Sequence, residues 1–147
     1  MSRAFVKDGD DRPERPPPRP VSDLPNRVTA RGLELLEAAL ARARDAGDER
    51  NVAYFEERVG SAIVVASHEG KPGTIAFGSQ IVVREPSGSV VRLQIVGEDE
   101  ADPVHGSIAW SSPYARALTG HRAGDRVVVQ RPAGATTVYV QEVEPLR

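Results

Sequence analysis

The sequence predicts an α+β chain: an N-terminal antiparallel two-helix hairpin, a short coiled coil, followed by an antiparallel sheet with one short helix. Two runs between Thr29 and Ile63 carry apolar residues at spacings of three and four, the stripe of an amphipathic helix, and only a few polar residues separate them. From about Ala66 onward glycine, proline and β-branched residues dominate, and alternation replaces the helical period. Within that second half, Ser112-Pro113 opens and Gly120 closes one short helical stretch.

Residues 1–26 hold half of the chain's twelve prolines, Pro16-Pro17-Pro18 among them, with five basic and five acidic side chains interspersed. Such a segment buries too little apolar surface to offset its ordering entropy, so a flexible, partly polyproline-like tail is expected over 1–26. The hairpin is expected over 27–66. Thr29 is a suitable N-cap, Leu33, Leu36 and Leu40 form the first stripe, and Gly47 is a natural stop. Asp48 can cap the second helix, in which Val52, Phe55 and Val59 repeat the spacing as far as Ala62 or Ile63. At 1.5 Å per residue, helices of roughly 17 residues make an arm about 25 Å long. The third segment, 67–147, reads as strands at Ile75–Arg84, Val90–Val96, Ser107–Trp110, Arg126–Gln130 and Thr136–Val143, with turns at Ser87-Gly88 and Ala133-Gly134 and the helix at Pro113–Leu118.

With 147 residues the chain has room for one small domain and an appendage. A formal net charge of −2 gives no overall field that would attract polyanions, so independent specific DNA binding is not expected. The absence of cysteine excludes disulfides, thiol catalysis and cysteine-ligated metals. No apolar run approaches the roughly 20 residues that cross a bilayer, and the N-terminus has no apolar signal segment, so a cytoplasmic protein without membrane contact is expected.

Few residues point to chemistry. His68, His105 and His121 lack the paired spacing of a metal site, and no metal is expected. Ser111 and Ser112 lack a nucleophile-elbow context. Asp45, Asp48 and Glu49 cluster at the hairpin turn, where carboxylates could hold a hard cation or cap a helix and favour its dipole. Glu98, Asp99, Glu100 and Asp102 form a second acidic cluster after a strand. Four carboxylates so close repel one another, and either solvation or a basic or metal partner eases them. Ser112, Pro113 and Arg116 should fold nearby and form a contact patch with them.

The residues carry a family resemblance. Phe77-Gly78-Ser79, the run Ile95-Val96-Gly97-Glu98-Asp99-Glu100-Ala101-Asp102, the run Ser112-Pro113-Tyr114-Ala115-Arg116-Ala117-Leu118, Gly124-Asp125 and Pro132-Ala133-Gly134 follow in order over about half of the chain. They resemble the F-G-A/S, I-V-G-x-D-E-A-D, S-P-x-A-R-A-L, G-D and P-A/G-G motifs of the Gre transcript-cleavage factors (GreA/GreB) of bacterial RNA polymerase. Thr29-Ala30-Arg31-Gly32 is similar to the family's T-x-x-G helix start, and Met1 to Lys7 to an N-terminal extension of some GreB-like members. The resemblance implies an FKBP-like C-terminal domain docked at the mouth of the polymerase secondary channel, with the coiled-coil arm inside it. Acidic tip residues would then help hold a second Mg²⁺ in the polymerase active site, close to transcript RNA. The chain itself would be no enzyme and carry no cofactor of its own.

The arm departs from that pattern. The family's tip is close to G-D-x-x-E-N; here it is Gly47-Asp48-Glu49-Arg50-Asn51, so Asp48 matches the first acid and nothing matches the second in register. The arm is also about half the usual length, nearer to the Rnk-type regulators. The leading expectation is a polymerase-binding elongation regulator without efficient transcript cleavage, with Glu98, Asp99, Glu100, Asp102, Ser112, Pro113 and Arg116 as the binding residues. Two alternatives stand beside it: an active cleavage factor lending Asp48 and Glu49, and an FKBP-like peptide-binding module.

Overall fold

The computed structural model describes residues 15–66 and 69–146. Asn26 is buried, and a two-residue strand β1 (Arg27–Val28) leads into helix α1 (Ala30–Asp45). Thr29 caps α1 by accepting from the Gly32 N–H at 2.9 Å. Gly47, with φ of 65°, makes the left-handed turn that the hairpin requires, and α2 (Glu49–Gly60) returns antiparallel. Leu36, Leu40 and Ala43 of α1 are buried between the helices. Val52, Phe55 and Val59 of α2 are only half-buried.

The second helix is shorter than its periodicity predicts. It ends at Gly60, and Ser61 caps it. The Ile63 N–H then donates to the Asn26 carbonyl at 2.8 Å, and β2 (Ile63–Val64) pairs in parallel with β1. Strand pairing at the base of the arm outcompetes the last helical turn. At 1.5 Å per residue, 16 and 12 residues give helices of about 24 and 18 Å.

The body is a five-stranded sheet in the order β5-β4-β3-β7-β6, built from β3 (Ser79–Arg84), β4 (Val90–Val96), β5 (Ser107–Ala109), β6 (Arg126–Arg131) and β7 (Gly134–Pro145). Three pairings are antiparallel, as the alternation predicts, and β4–β5 is parallel. The connection from β4 passes through a 3-10 turn at Pro103–His105 and brings the chain back in the same direction. Strand β3 starts later than expected: Gly78 has φ of 83°, Ser79 Oγ accepts from the Ala76 N–H at 2.9 Å and the Ser79 N–H donates to the Ala76 carbonyl, so Ala76–Ser79 is a turn, and Ile75 bonds instead to Gly120 and His121. Helix α3 (Pro113–Leu118) lies where Ser112, Pro113 and Gly120 predict it, with Ala115 and Leu118 facing the sheet.

The core lies between α3 and the sheet. Ile81, Val83, Leu93, Ile95, Val127, Val129, Val138 and Val140 alternate inward with Ala115 and Leu118 against them. Phe77 is buried, and Trp110 and Tyr114 pack against the core.

The N-terminal segment departs from the flexible tail expected over 1–26. Residues 15–26 lie along α2 and touch the body, through contacts described below; residues 1–14, with the N-terminal extension, lie outside the described set.

Candidate functional site: the arm–body junction

The acidic run after β4 is not a free patch. It meets the base of the arm, and most of its carboxylates have partners there. Gly97 comes first because only glycine fits: a Cβ would stand 2.5 Å from the Arg27 carbonyl oxygen in the backbone of β1. The Glu98 carboxylate accepts from the Ser22 hydroxyl at 2.9 Å. Asp99 accepts from Arg58 Nε at 2.6 Å with one oxygen and from the Tyr54 hydroxyl with the other. Glu100 accepts from the Thr29 hydroxyl at 2.5 Å, and that same hydroxyl oxygen caps α1. Gly32 leaves the space for Glu100, whose Oε1 would lie 2.8 Å from a Cβ at that position.

Burial gives this cluster its weight. The Arg58 side chain is 2% exposed and that of Asp99 14%. A guanidinium so enclosed needs a carboxylate, and a carboxylate so enclosed needs donors. Burial, and then its bond to Asp99, pushes the Tyr54 hydroxyl up to about 12, so it remains a neutral donor over the ordinary pH range. Arg58 is held in turn from behind, where its carbonyl accepts from Asn26 Nδ2 at 2.7 Å. Asp99 therefore has its basic partner inside the molecule, while Glu98 and Glu100 are met by hydroxyl groups.

Asp102 is different. It is exposed and pairs with His105 Nδ1 at 2.6 Å within its own turn. Ser112 is committed to α3, accepting from the Ala115 N–H at 3.2 Å. Pro113 and Arg116 are exposed. The parallel pairing sets Val96 opposite Ala109, so the acidic run and the start of α3 leave the same end of the sheet. Among the described residues, no hydrogen bond or ion pair joins Ser112 or Arg116 to the carboxylates of that run. Of the seven residues expected to bind a partner, Asp102, Pro113 and Arg116 are the exposed ones. Glu98, Asp99 and Glu100 make contacts with the arm and the segment before it.

At the tip, Asp48 caps α2. Its carboxylate accepts from the Asn51 N–H at 3.1 Å and from Asn51 Nδ2 at 2.7 Å. Glu49 and Asp45 are exposed, at the N-terminal end of α2 and the C-terminal end of α1. Arg50 turns to the N-terminal segment, donating to the Pro17 carbonyl at 2.7 Å. Among the described residues, no group of three or more His, Asp or Glu side chains is placed to hold a metal ion. No helix among them is long and apolar enough to cross a membrane.

Tyr54, Arg58 and Arg19 were not singled out from the sequence. Tyr54 and Arg58 stand four residues apart on one face of α2, and that spacing beside an unneutralised acidic run was the available signal. Arg19 stacks on Tyr54 from the N-terminal segment, and nothing local marks it.

Residues 69–145, just over half of the chain, match the family model described as transcription elongation factor, GreA/GreB, C-term. The transcription elongation factor GreA of Alkalilimnicola ehrlichii is 38% identical over 124 residues, covering 71% of this chain and 78% of that one. GreA of Geobacillus kaustophilus is 32% identical over 105 residues, 71% of this chain and 66% of that protein. Among solved structures, GreA factor homolog 1 of Thermus thermophilus aligns with 80% of this chain and 97% of its own at 23% identity and a TM-score of 0.45. The chain belongs to the GreA/GreB family of transcription elongation factors.

Proposed function

We propose that this chain is an elongation regulator that binds bacterial RNA polymerase through its body, near the secondary channel, and does not support efficient transcript cleavage. It lends no chemistry of its own, and any cleavage belongs to the polymerase and its Mg²⁺. The observation that carries this reading is the tip. Asp48 spends its carboxylate on both Asn51 donors, which leaves Glu49 as the exposed acid beside it, at the end of helices of 16 and 12 residues. A cation shared with a polymerase site needs converging free carboxylates and enough reach. A side chain spans only a few Å and cannot replace missing helical turns.

Binding would fall to the exposed members of the sequence motifs: Asp102, Pro113 and Arg116. Charged contacts of this kind weaken as salt screens them. The test is capture of core polymerase at low and high salt. The wild-type chain should bind, less at high salt, and an Asp102→Ala/Arg116→Ala variant should bind more weakly at equal fold stability. No binding at low salt, or equal binding by the double variant, sinks the reading. The peptide-binding alternative loses support from the filled space between α3 and the sheet.

A further inference from the structure

The N-terminal segment is attached at both ends of the arm. Near the tip, Pro17 accepts from Arg50; at the body, Ser22 donates to Glu98. Between them the Arg19 guanidinium carbon lies 3.7 Å from the centroid of the Tyr54 ring and 5.4 Å from that of Phe55, and Nη1 donates to Asn51 Oδ1 at 2.8 Å. Four prolines at positions 16, 17, 18 and 20 suit this path. Each has a fixed φ, loses little freedom on ordering, and brings no N–H that would need a partner against the helix.

We propose that residues 15–22 are a working third element of the arm and that Arg19 is a positioning residue that couples the tip to the arm–body junction. Two groups depend on it. The Asn51 amide accepts from Arg19 with its oxygen, which turns its nitrogen toward Asp48 and fixes the α2 cap. The Tyr54 ring is held under the guanidinium while its hydroxyl donates to Asp99, the partner of Arg58. One side chain thus orders both the carboxylate at the tip and the ion pair at the base. The arm keeps one direction relative to the body because three elements, not two, connect them. This inference concerns the isolated chain and stands apart from polymerase binding.

The chain has no cysteine, so a labelled pair can be introduced cleanly. Glu37→Cys on α1 and Val128→Cys on β6 are both exposed and report arm against body. Spin-label distance distributions should be narrow in the parent pair and broader with Arg19→Ala or Ser22→Ala. Arg19→Lys should fall between, since an ammonium keeps the cation near the ring but lacks the planar fork that also reaches Asn51. Amides of α2 around Tyr54 should exchange roughly two- to fivefold faster in Arg19→Ala, the loss expected for an exposed cation–π contact. A segment that merely rests on the arm would leave the arm–body distribution unchanged. Equal widths in the parent and in both alanine variants overturn the proposal.

Discussion

Replacing Asp99 by alanine should unseat the arm. The perturbation removes two accepted hydrogen bonds and leaves the Arg58 guanidinium, 2% exposed, without its counter-charge. Removing one partner of such a pair costs about 3–5 kcal/mol, most of it the penalty of an unpaired enclosed charge. The Tyr54 bond supplies about 1 kcal/mol of that, which Tyr54→Phe isolates because the ring stays under Arg19. Replacing both charges by apolar groups, Asp99→Ala with Arg58→Met, should recover most of the loss, since no orphaned charge remains. Urea unfolding followed by Trp110, the single tryptophan, gives the global values, and hydrogen exchange in α2 gives the local ones. The single variant should lower Tm by roughly 6–20 °C for a chain of this size. A loss below about 1 kcal/mol in Asp99→Ala, or a double variant whose losses simply add, would mean that the Arg58–Asp99 pair does not hold the arm.

Three further outcomes follow from the same geometry. Gly97→Ala forces a Cβ to within 2.5 Å of the rigid Arg27 carbonyl and should cost about 1–3 kcal/mol in urea unfolding, whereas Gly32→Ala meets the far end of the Glu100 side chain, gains about 1 kcal/mol of helix propensity and should come out near neutral. Asp48→Ala should cost about 1 kcal/mol through the lost cap, measured in the same way. For Tyr54 the folded state holds its proton more tightly than the unfolded chain, so its contribution is intact below the ordinary tyrosine value of about 10 and is lost as pH rises towards about 12; stability across that range should fall less steeply in Tyr54→Phe, and its ultraviolet titration should lack one late ionisation.

Much of the fold was legible because its signals are local. Ser112, Pro113 and Gly120 bound α3, alternation placed β4 and β6, and Thr29 and Asp48 identified themselves as caps. The misreadings lie where distant partners decide. The α2 pattern runs on to Ile63, yet Asn26, far away in sequence, claims that residue for β2. The proline-rich segment has the composition of a free linker, but its prolines suit a path along a helix already formed, and its anchors stand 32 and 76 residues away. The acidic run at Glu98 to Asp102 was legible as a crowded cluster that solvation or a basic or metal partner would ease. That Asp99 finds its cation in Arg58, and that Gly97 leaves room for the Arg27 backbone, depends on how the arm seats on the body.

The proposed function rests on a tip whose Asp48 carboxylate is taken up by Asn51, at the end of helices of 16 and 12 residues. The direct measurement is RNA length in stalled, backtracked polymerase complexes, with the factor present at concentrations that saturate binding and with Mg²⁺ supplied. The account predicts no shortening beyond that of polymerase alone while the factor is bound. Shortening that depends on Mg²⁺ and disappears in Asp48→Ala would contradict it and make this chain an active cleavage factor.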